Sequence, residues 1–226
     1  MPGAFAPGDS NNNECIFLKS MIANLKPLLK PELKALMKHV DSQTTELLVA
    51  AKAVIETLAG HVCMLGISES VTGGTIASYL TLIDGCSKVL FASQVLYSIL
   101  GKAIFCELPV NFIVEKGTVS EIILSKMLES MARRFFKARE EKDASGLSIA
   151  PRHFVSLATS GVAGDPIEGL PRGTVLVGIS AYRDEKCIDK EIRQVQIEGG
   201  RWEIIAGATR AALALVIEKA ALLRRA

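Results

Sequence analysis

An apolar run from His61 to Ile67 passes through Ser68-Glu69-Ser70-Val71-Thr72-Gly73-Gly74 into a helix-compatible run, Thr75 to Leu82. A strand that gives way to small turn residues and then a helix is the opening unit of an α/β fold, and it narrows what the rest of the chain can build. The turn also sets the Ser70 hydroxyl beside backbone N–H groups at a helix N-terminus, a geometry that stabilises anionic oxygen. Such a turn holds a nucleophile or cradles a phosphate. Tyr97-Ser98-Ile99-Leu100-Gly101-Lys102, downstream, supplies a phenol and an amine but no histidine, and favours the nucleophile.

The remaining pattern extends this unit. Residues 1 to 13, rich in Pro, Gly, Asn and Ser, read as disordered. From Glu14 to Val40 apolar residues recur at helical spacing, with Pro27 and Pro31 expected to divide the stretch into short helices. The lysines there form a solvated face or meet an acidic partner. Asp41-Ser42-Gln43-Thr44 marks a boundary, Thr44 is placed to cap a helix striped by Leu47, Leu48, Ala51, Ile55 and Leu58, and Gly60 is placed to end it. Val89 to Tyr97 reads as a second strand, and Thr118 and Ser120 open a helix through Phe135. Lys142 to Pro151 suits an exposed loop. His153 to Thr159, Thr174 to Tyr182 and Ile188 to Ile197 are β-branched strand candidates. A last helix, about Arg201 to Leu223, turns Trp202, Ile205, Leu213, Val216 and Ala220 inward. The expected architecture is a three-layer α/β/α sandwich with a mixed sheet over 43–226, preceded by a short helical extension over 1–42.

Composition excludes several classes of function. Among 226 residues the net charge is +2 and aromatics make up 5%, which supplies neither the basic surface nor the stacking platform of a nucleic-acid binder. Five cysteines without CxxC spacing and three histidines, no two of them at ligand spacing, argue against a zinc site or a disulfide scaffold; the thiols are expected reduced and mostly buried. The first eighteen residues lack Lys and Arg, and no apolar run approaches the ~20 residues of a spanning helix. A soluble, cytoplasmic chain needing no metal or cofactor is expected.

Serine becomes a nucleophile only when a base takes its proton, and a lysine kept neutral by burial or nearby positive charge serves as well as histidine. Ser70 and Lys102 are the candidates. Thr159-Ser160-Gly161-Val162-Ala163-Gly164 ends a strand in hydroxyls and glycines, which is compatible with a plain turn or with close approach of a ligand. Arg201, after Gly199-Gly200, stands at a helix start where an anion is favoured.

Glu69-Ser70-Val71-Thr72-Gly73-Gly74, Tyr97-Ser98 with Lys102, Gly117-Thr118-Val119-Ser120-Glu121, Ser160-Gly161-Val162-Ala163-Gly164, Pro171-Arg172-Gly173-Thr174-Val175 and Gly200-Arg201 together resemble the ordered motifs of the CinA C-terminal domain, the nicotinamide mononucleotide deamidase family. The resemblance covers about residues 43 to 226. It implies conversion of nicotinamide mononucleotide to nicotinate mononucleotide and ammonia, with Ser70 as nucleophile, Lys102 as general base and Tyr97 assisting proton transfer or holding Lys102. It also implies that Ser160 and Arg201 line the pocket. Thr72, Gly73, Gly74, Ser160, Gly161 and Arg201 are the expected substrate contacts, and the backbone N–H groups near Thr72 to Gly74, at the helix start, are the oxyanion candidates. Arg201 serves the substrate phosphate or depresses the Lys102 pKa. Val71 replaces the family's usual cysteine, and Ile99-Leu100-Gly101 replaces its Asn-Glu-Ala. Asp165 to Leu170 departs from its glycine-rich segment, and Gly200 stands where it has Asp. The competing expectation is a nucleotide-binding module of the same fold without turnover. A homo-oligomer is expected, with the extension mediating assembly.

Overall fold

The computed structural model describes residues 31–140 and 153–220, with side chains from Gln43 onward. The chain divides into two compact units, Met1–Thr44 and Thr45–Ala226. Of the first, the described part is helical backbone from Pro31 on. The short helices expected before Pro31, the Lys142 to Pro151 loop and the final six residues lie outside the described residues.

Helix α1, Pro31–Gly60, runs without a break through Asp41–Thr44, so no helix starts at Thr44. Ser, Thr, Asp and Gln in a helix interior each cost only fractions of a kcal/mol, about 0.7 at most, whereas no Gly or Pro intervenes to stop propagation. Proline at the first helical position is preorganised for its role. Strand β1, Cys63–Glu69, follows, then α2, Thr75–Thr81; a short 3₁₀ turn, Cys86–Lys88, leads to β2, Leu90–Val95. Two short helices not evident from the sequence come next, α3, Ile99–Cys106, and α4, Val110–Lys116. The long α5, Glu121–Glu140, is capped by Ser120, whose Oγ accepts from the Ile123 N–H. Strands β3, His153–Gly161, β4, Thr174–Arg183, and β5, Lys186–Gln196, precede α6, Arg201–Ala220.

The five strands form one mixed sheet in the order β2-β1-β3-β4-β5. Strand β1 lies parallel to both β2 and β3, while β3-β4-β5 is an antiparallel meander. Its β4–β5 hairpin turns on Asp184 and Glu185, both with positive φ. Alternation along the strands sorts the core into two layers. Val155, Leu157, Val177 and Ile179 pack with Leu47 and Leu58 of α1, Ile76 and Leu80 of α2, and Leu213 and Val216 of α6. Phe154, Ala158, Leu176 and Tyr182 point to the other face and meet α3, α4 and α5. There α5 packs so closely that a Cβ on Gly66 would sit 2.5 Å from Met131 Cγ and 2.7 Å from Phe154 Cζ. The result is the α/β/α sandwich. On α6 it is Ile204, not Ile205, that is fully buried, because the inward stripe follows Ile204, Ala208, Leu215 and Ala220.

Three of the four described cysteines, Cys63, Cys86 and Cys106, are buried free thiols, and Cys187 is exposed. Among the described residues no helix is long and apolar enough to cross a membrane.

Candidate active site

A sheet in which the chain steps from β1 to β2 on one side and then to β3 on the other leaves a crevice beyond the carboxyl ends of these parallel strands, where neighbouring connections diverge. A cavity of about 350 Å³ lies there, lined by Ser70 after β1, Tyr97 after β2, and Ser160 and Gly161 at the end of β3. Its wall also includes Lys102, Thr118, Val119, Asp165, Ile167 and Arg201.

Strand β1 continues two residues past Ile67, because Ser68 and Glu69 find partners in the interior. Ser68 Oγ donates to Met127 O and accepts from Gln94 Nε2. Glu69 is fully buried, and its carboxylate accepts from the backbone N–H groups of Gly74 at 2.9 Å, Ile76 at 3.1 Å and Ala77 at 3.0 Å, with a fourth bond from the Ser93 hydroxyl. Three of the orphan donors at the start of α2 are thereby satisfied from within the motif. Gly73 and Gly74, at φ 60° and 98°, let the chain turn tightly enough for Glu69 to reach them.

Ser70 leaves this turn 7% exposed, and Lys102 is 3% exposed. Lys102 Nζ donates to Ser70 Oγ at 2.9 Å and to Leu96 O at 3.0 Å. The lysine rides on α3, whose start is fixed by Ser98 Oγ accepting from the Gly101 N–H at 3.0 Å. The amine is aimed back across the end of β2 to meet the residue after β1. Burial pulls the Lys102 ammonium below its ordinary 10.5, with the neighbouring Cys106 and Glu168 opposing that fall. A serine and an amine within hydrogen-bond reach, the amine disposed to lose its proton, have the geometry of a nucleophile and its base.

The other expected residues separate into two groups. Tyr97, Ser160, Gly161 and Arg201 line the cavity with Ser70 and Lys102. Tyr97 is 62% exposed and its phenol oxygen accepts from Arg201 Nη1 at 3.2 Å, so the group that holds Lys102 is the Leu96 carbonyl. Thr72, Gly73 and Gly74 stand outside the cavity wall. Thr72 shares a 2.8 Å hydrogen bond with Thr159, and the N–H of Gly73 donates to Ser70 O and that of Thr75 to Thr72 O, while Gly74 serves Glu69. The donors at this helix start are therefore already engaged by the protein itself.

Glu168 is a residue that the sequence reading did not single out. Its carboxylate accepts from the Thr118 N–H and hydroxyl, each at 2.9 Å, and from the Val119 N–H at 3.3 Å. Burial alone would raise its pKa, but these bonds and the Lys102 charge hold it below the ordinary 4.5. The signal available was Gly169 after it, a cue for a left-handed turn. Among the described residues no group of three or more His, Cys, Asp or Glu is gathered to hold a metal ion.

An α/β sandwich with a buried serine and lysine at the switch point of its sheet belongs to a recognisable class. The CinA C-terminal domain profile matches residues 48–220, and the chain belongs to that family. It is 26% identical over 208 residues to a CinA-like protein of Syntrophus aciditrophicus, covering 87% of this chain and 45% of that one. It is 31% identical over 131 residues to a putative competence-damage inducible protein of Lacticaseibacillus casei, covering 58% and 28%. The chain thus spans less than half the length of these curated relatives. Among solved structures it resembles a CinA superfamily protein of Klebsiella pneumoniae, with TM-score 0.63 and 22% identity over 78% of this chain and 98% of that one. A competence/damage inducible protein of Agrobacterium tumefaciens gives TM-score 0.59 and 23% identity over 76% and 94%. At these identities the likeness is one of fold.

Proposed function

We propose that this chain is an amidohydrolase that deamidates nicotinamide mononucleotide. The observation that carries the reading is the 2.9 Å contact between the buried Lys102 Nζ and Ser70 Oγ. In the reactive state the roles across that contact exchange: neutral Lys102 accepts the serine proton as Ser70 Oγ bonds to the carboxamide carbon. The tetrahedral adduct collapses, the C–N bond breaks, and Lys102 returns the proton to the departing ammonia. Water, deprotonated by the same amine, then cleaves the ester to release the carboxylate and restore Ser70.

The substrate's phosphate is assigned to Arg201, which stands exposed at the cavity with a phenol oxygen as its hydrogen-bond partner. Because the donors at Gly73, Gly74 and Thr75 are engaged, the oxyanion falls to other backbone groups of the wall, the Val71 N–H being nearest in sequence to the nucleophile. A single well-placed donor there contributes about 3 kcal/mol to the transition state.

The test is ammonia release from nicotinamide mononucleotide by wild type, Ser70→Ala and Lys102→Arg. Turnover by wild type alone is expected, since a guanidinium does not give up its proton at neutral pH. Ammonia release by Ser70→Ala near the wild-type rate would sink the nucleophile assignment. Binding without turnover by wild type would leave the nucleotide-binding module. We further propose that the chain self-associates through residues 1–42; light scattering on a chain beginning at residue 41 would show an unchanged number of subunits if it does not.

A further inference from the structure

We propose that Glu168 is a positioning residue whose carboxylate latches the 162–173 loop onto the Gly117–Ser120 turn, holding in place the cavity wall that faces the substrate. The proposal rests on the amidohydrolase reading above. Ile167 and Leu170 exchange backbone hydrogen bonds, at 3.2 and 2.8 Å, around a two-residue turn formed by Glu168 and Gly169, at φ 55° and 77°. Two left-handed residues at such a turn call for Asn-Gly, and glutamate in the first position is strained unless something else requires it.

The requirement is visible across the cavity. The two oxygens of Glu168 take up the Thr118 N–H, the Thr118 hydroxyl and the Val119 N–H, fifty residues away in sequence. Asparagine would suit the turn but is one methylene too short to make the same reach. The receiving turn is shaped for the carboxylate: Gly117 has φ 83°, and a Cβ there would sit 2.9 Å from Glu168 Oε2. Ser160 Oγ donates to Thr118 O at 3.3 Å, so the same peptide is held from the end of β3. Thr118, Val119 and Ile167 all line the cavity. The latch thus joins two walls that no covalent or sheet connection joins.

The latch also reaches the base. Glu168 favours the charged form of Lys102 from the loop side, as Cys106 does from α3 itself, while Ser70 and Leu96 O face the amine from the ends of β1 and β2. Arg201 and Asp165 are the further charged groups on the same wall.

Glu168→Asn separates the latch from the turn. In the full chain without substrate, amide hydrogen exchange at Thr118 and Val119 is expected to speed up about tenfold or more, with no fall in melting temperature. Unchanged exchange at both amides would overturn the proposal. Covalent labelling of Ser70 by a sulfonyl fluoride, followed against pH, supplies a second readout that a merely structural tether would not move. Its midpoint is expected at lower pH in Glu168→Asn than in wild type, and an unshifted midpoint would overturn the positioning role. If wild-type Ser70 fails to label at any pH, the nucleophile reading falls and the exchange result alone decides the latch.

Discussion

Replacing Glu69 by glutamine tests the way in which this chain begins α2. The carboxylate has four donors: Oε2 serves the N–H groups of Gly74 and Ile76, and Oε1 those of Ala77 and the Ser93 hydroxyl. A carboxamide has one accepting oxygen. Its best orientation keeps Gly74 and Ile76, lets the Ser93 hydroxyl rotate to accept, and sets an NH₂ against the Ala77 N–H. A lost hydrogen bond to a charged group in a buried site costs about 1.5–3 kcal/mol. Losing negative charge at a helix N-terminus adds about 0.3–1 kcal/mol. The sum is about 2–4 kcal/mol, which for a domain of this size lowers the melting temperature by about 4–16 °C. Glu69→Ala, which orphans all three amides, is expected to exceed the upper figure, and Ser93→Ala, which removes only the longest contact, to cost about 1 kcal/mol or less. Denaturant unfolding with an unchanged slope gives the free energies, and hydrogen exchange at Ala77 locates the damage. A Glu69→Gln protein within about 0.5 kcal/mol of wild type and equally protected at Ala77 would refute the argument.

The proposed mechanism requires a neutral base, so ammonia release is expected to rise with pH through a Lys102 pKa lying below 10.5, and Lys102→Ala to abolish both the rate and its pH dependence. The same shift has a stability signature: the folded chain binds that proton more weakly than the unfolded one, so this group makes stability increase with pH between its folded value and 10.5. Lys102→Met should flatten that slope in pH-dependent unfolding. Gly66→Ala is expected to cost about 1–3 kcal/mol in thermal unfolding by driving a methyl into Met131 and Phe154. In a Cys15→Ser background, a thiol reagent should modify Cys187 alone in the folded protein, since Cys63, Cys86 and Cys106 are buried and the Cys63 thiol is pushed up to about 12.

The Ser70 turn and the lysine after β2 were legible because both lie where short-range patterns change, from an apolar run to small residues and from a strand to a helix cap. The motifs of the family then joined two segments that local pattern alone leaves unrelated. What escaped the reading was whatever depended on distant partners. Glu69 reads as a turn residue until its three amides are seen, and consecutive polar residues such as Ser68 and Glu69 belong to a strand only because the interior supplies their hydrogen bonds. Helices α3 and α4, eight and seven residues long, are too short to show a periodic stripe and are held by packing on α5. Glu168 was invisible for the same reason, its three bonds spanning about fifty residues. The polar run at Asp41–Thr44 falls where the two units divide, but it does not interrupt the helix, since it lacks the residues that enforce a break.

The β4–β5 hairpin turns on Asp184 and Glu185 at the end of the sheet away from the cavity, since β4 leaves from beside Gly161 and arrives beside His153. Asp184-Glu185 is a type of turn better served by Asn-Gly, so the pole carries backbone strain that the chemistry proposed for the other pole does not require. Cys187 stands exposed just beyond it. Nature's arrangement supplies a handle for engineering: a chain tethered to a sensor surface through that thiol presents its Ser70 pole to solution, and the turn itself is a place to insert a peptide tag without touching the serine or its lysine.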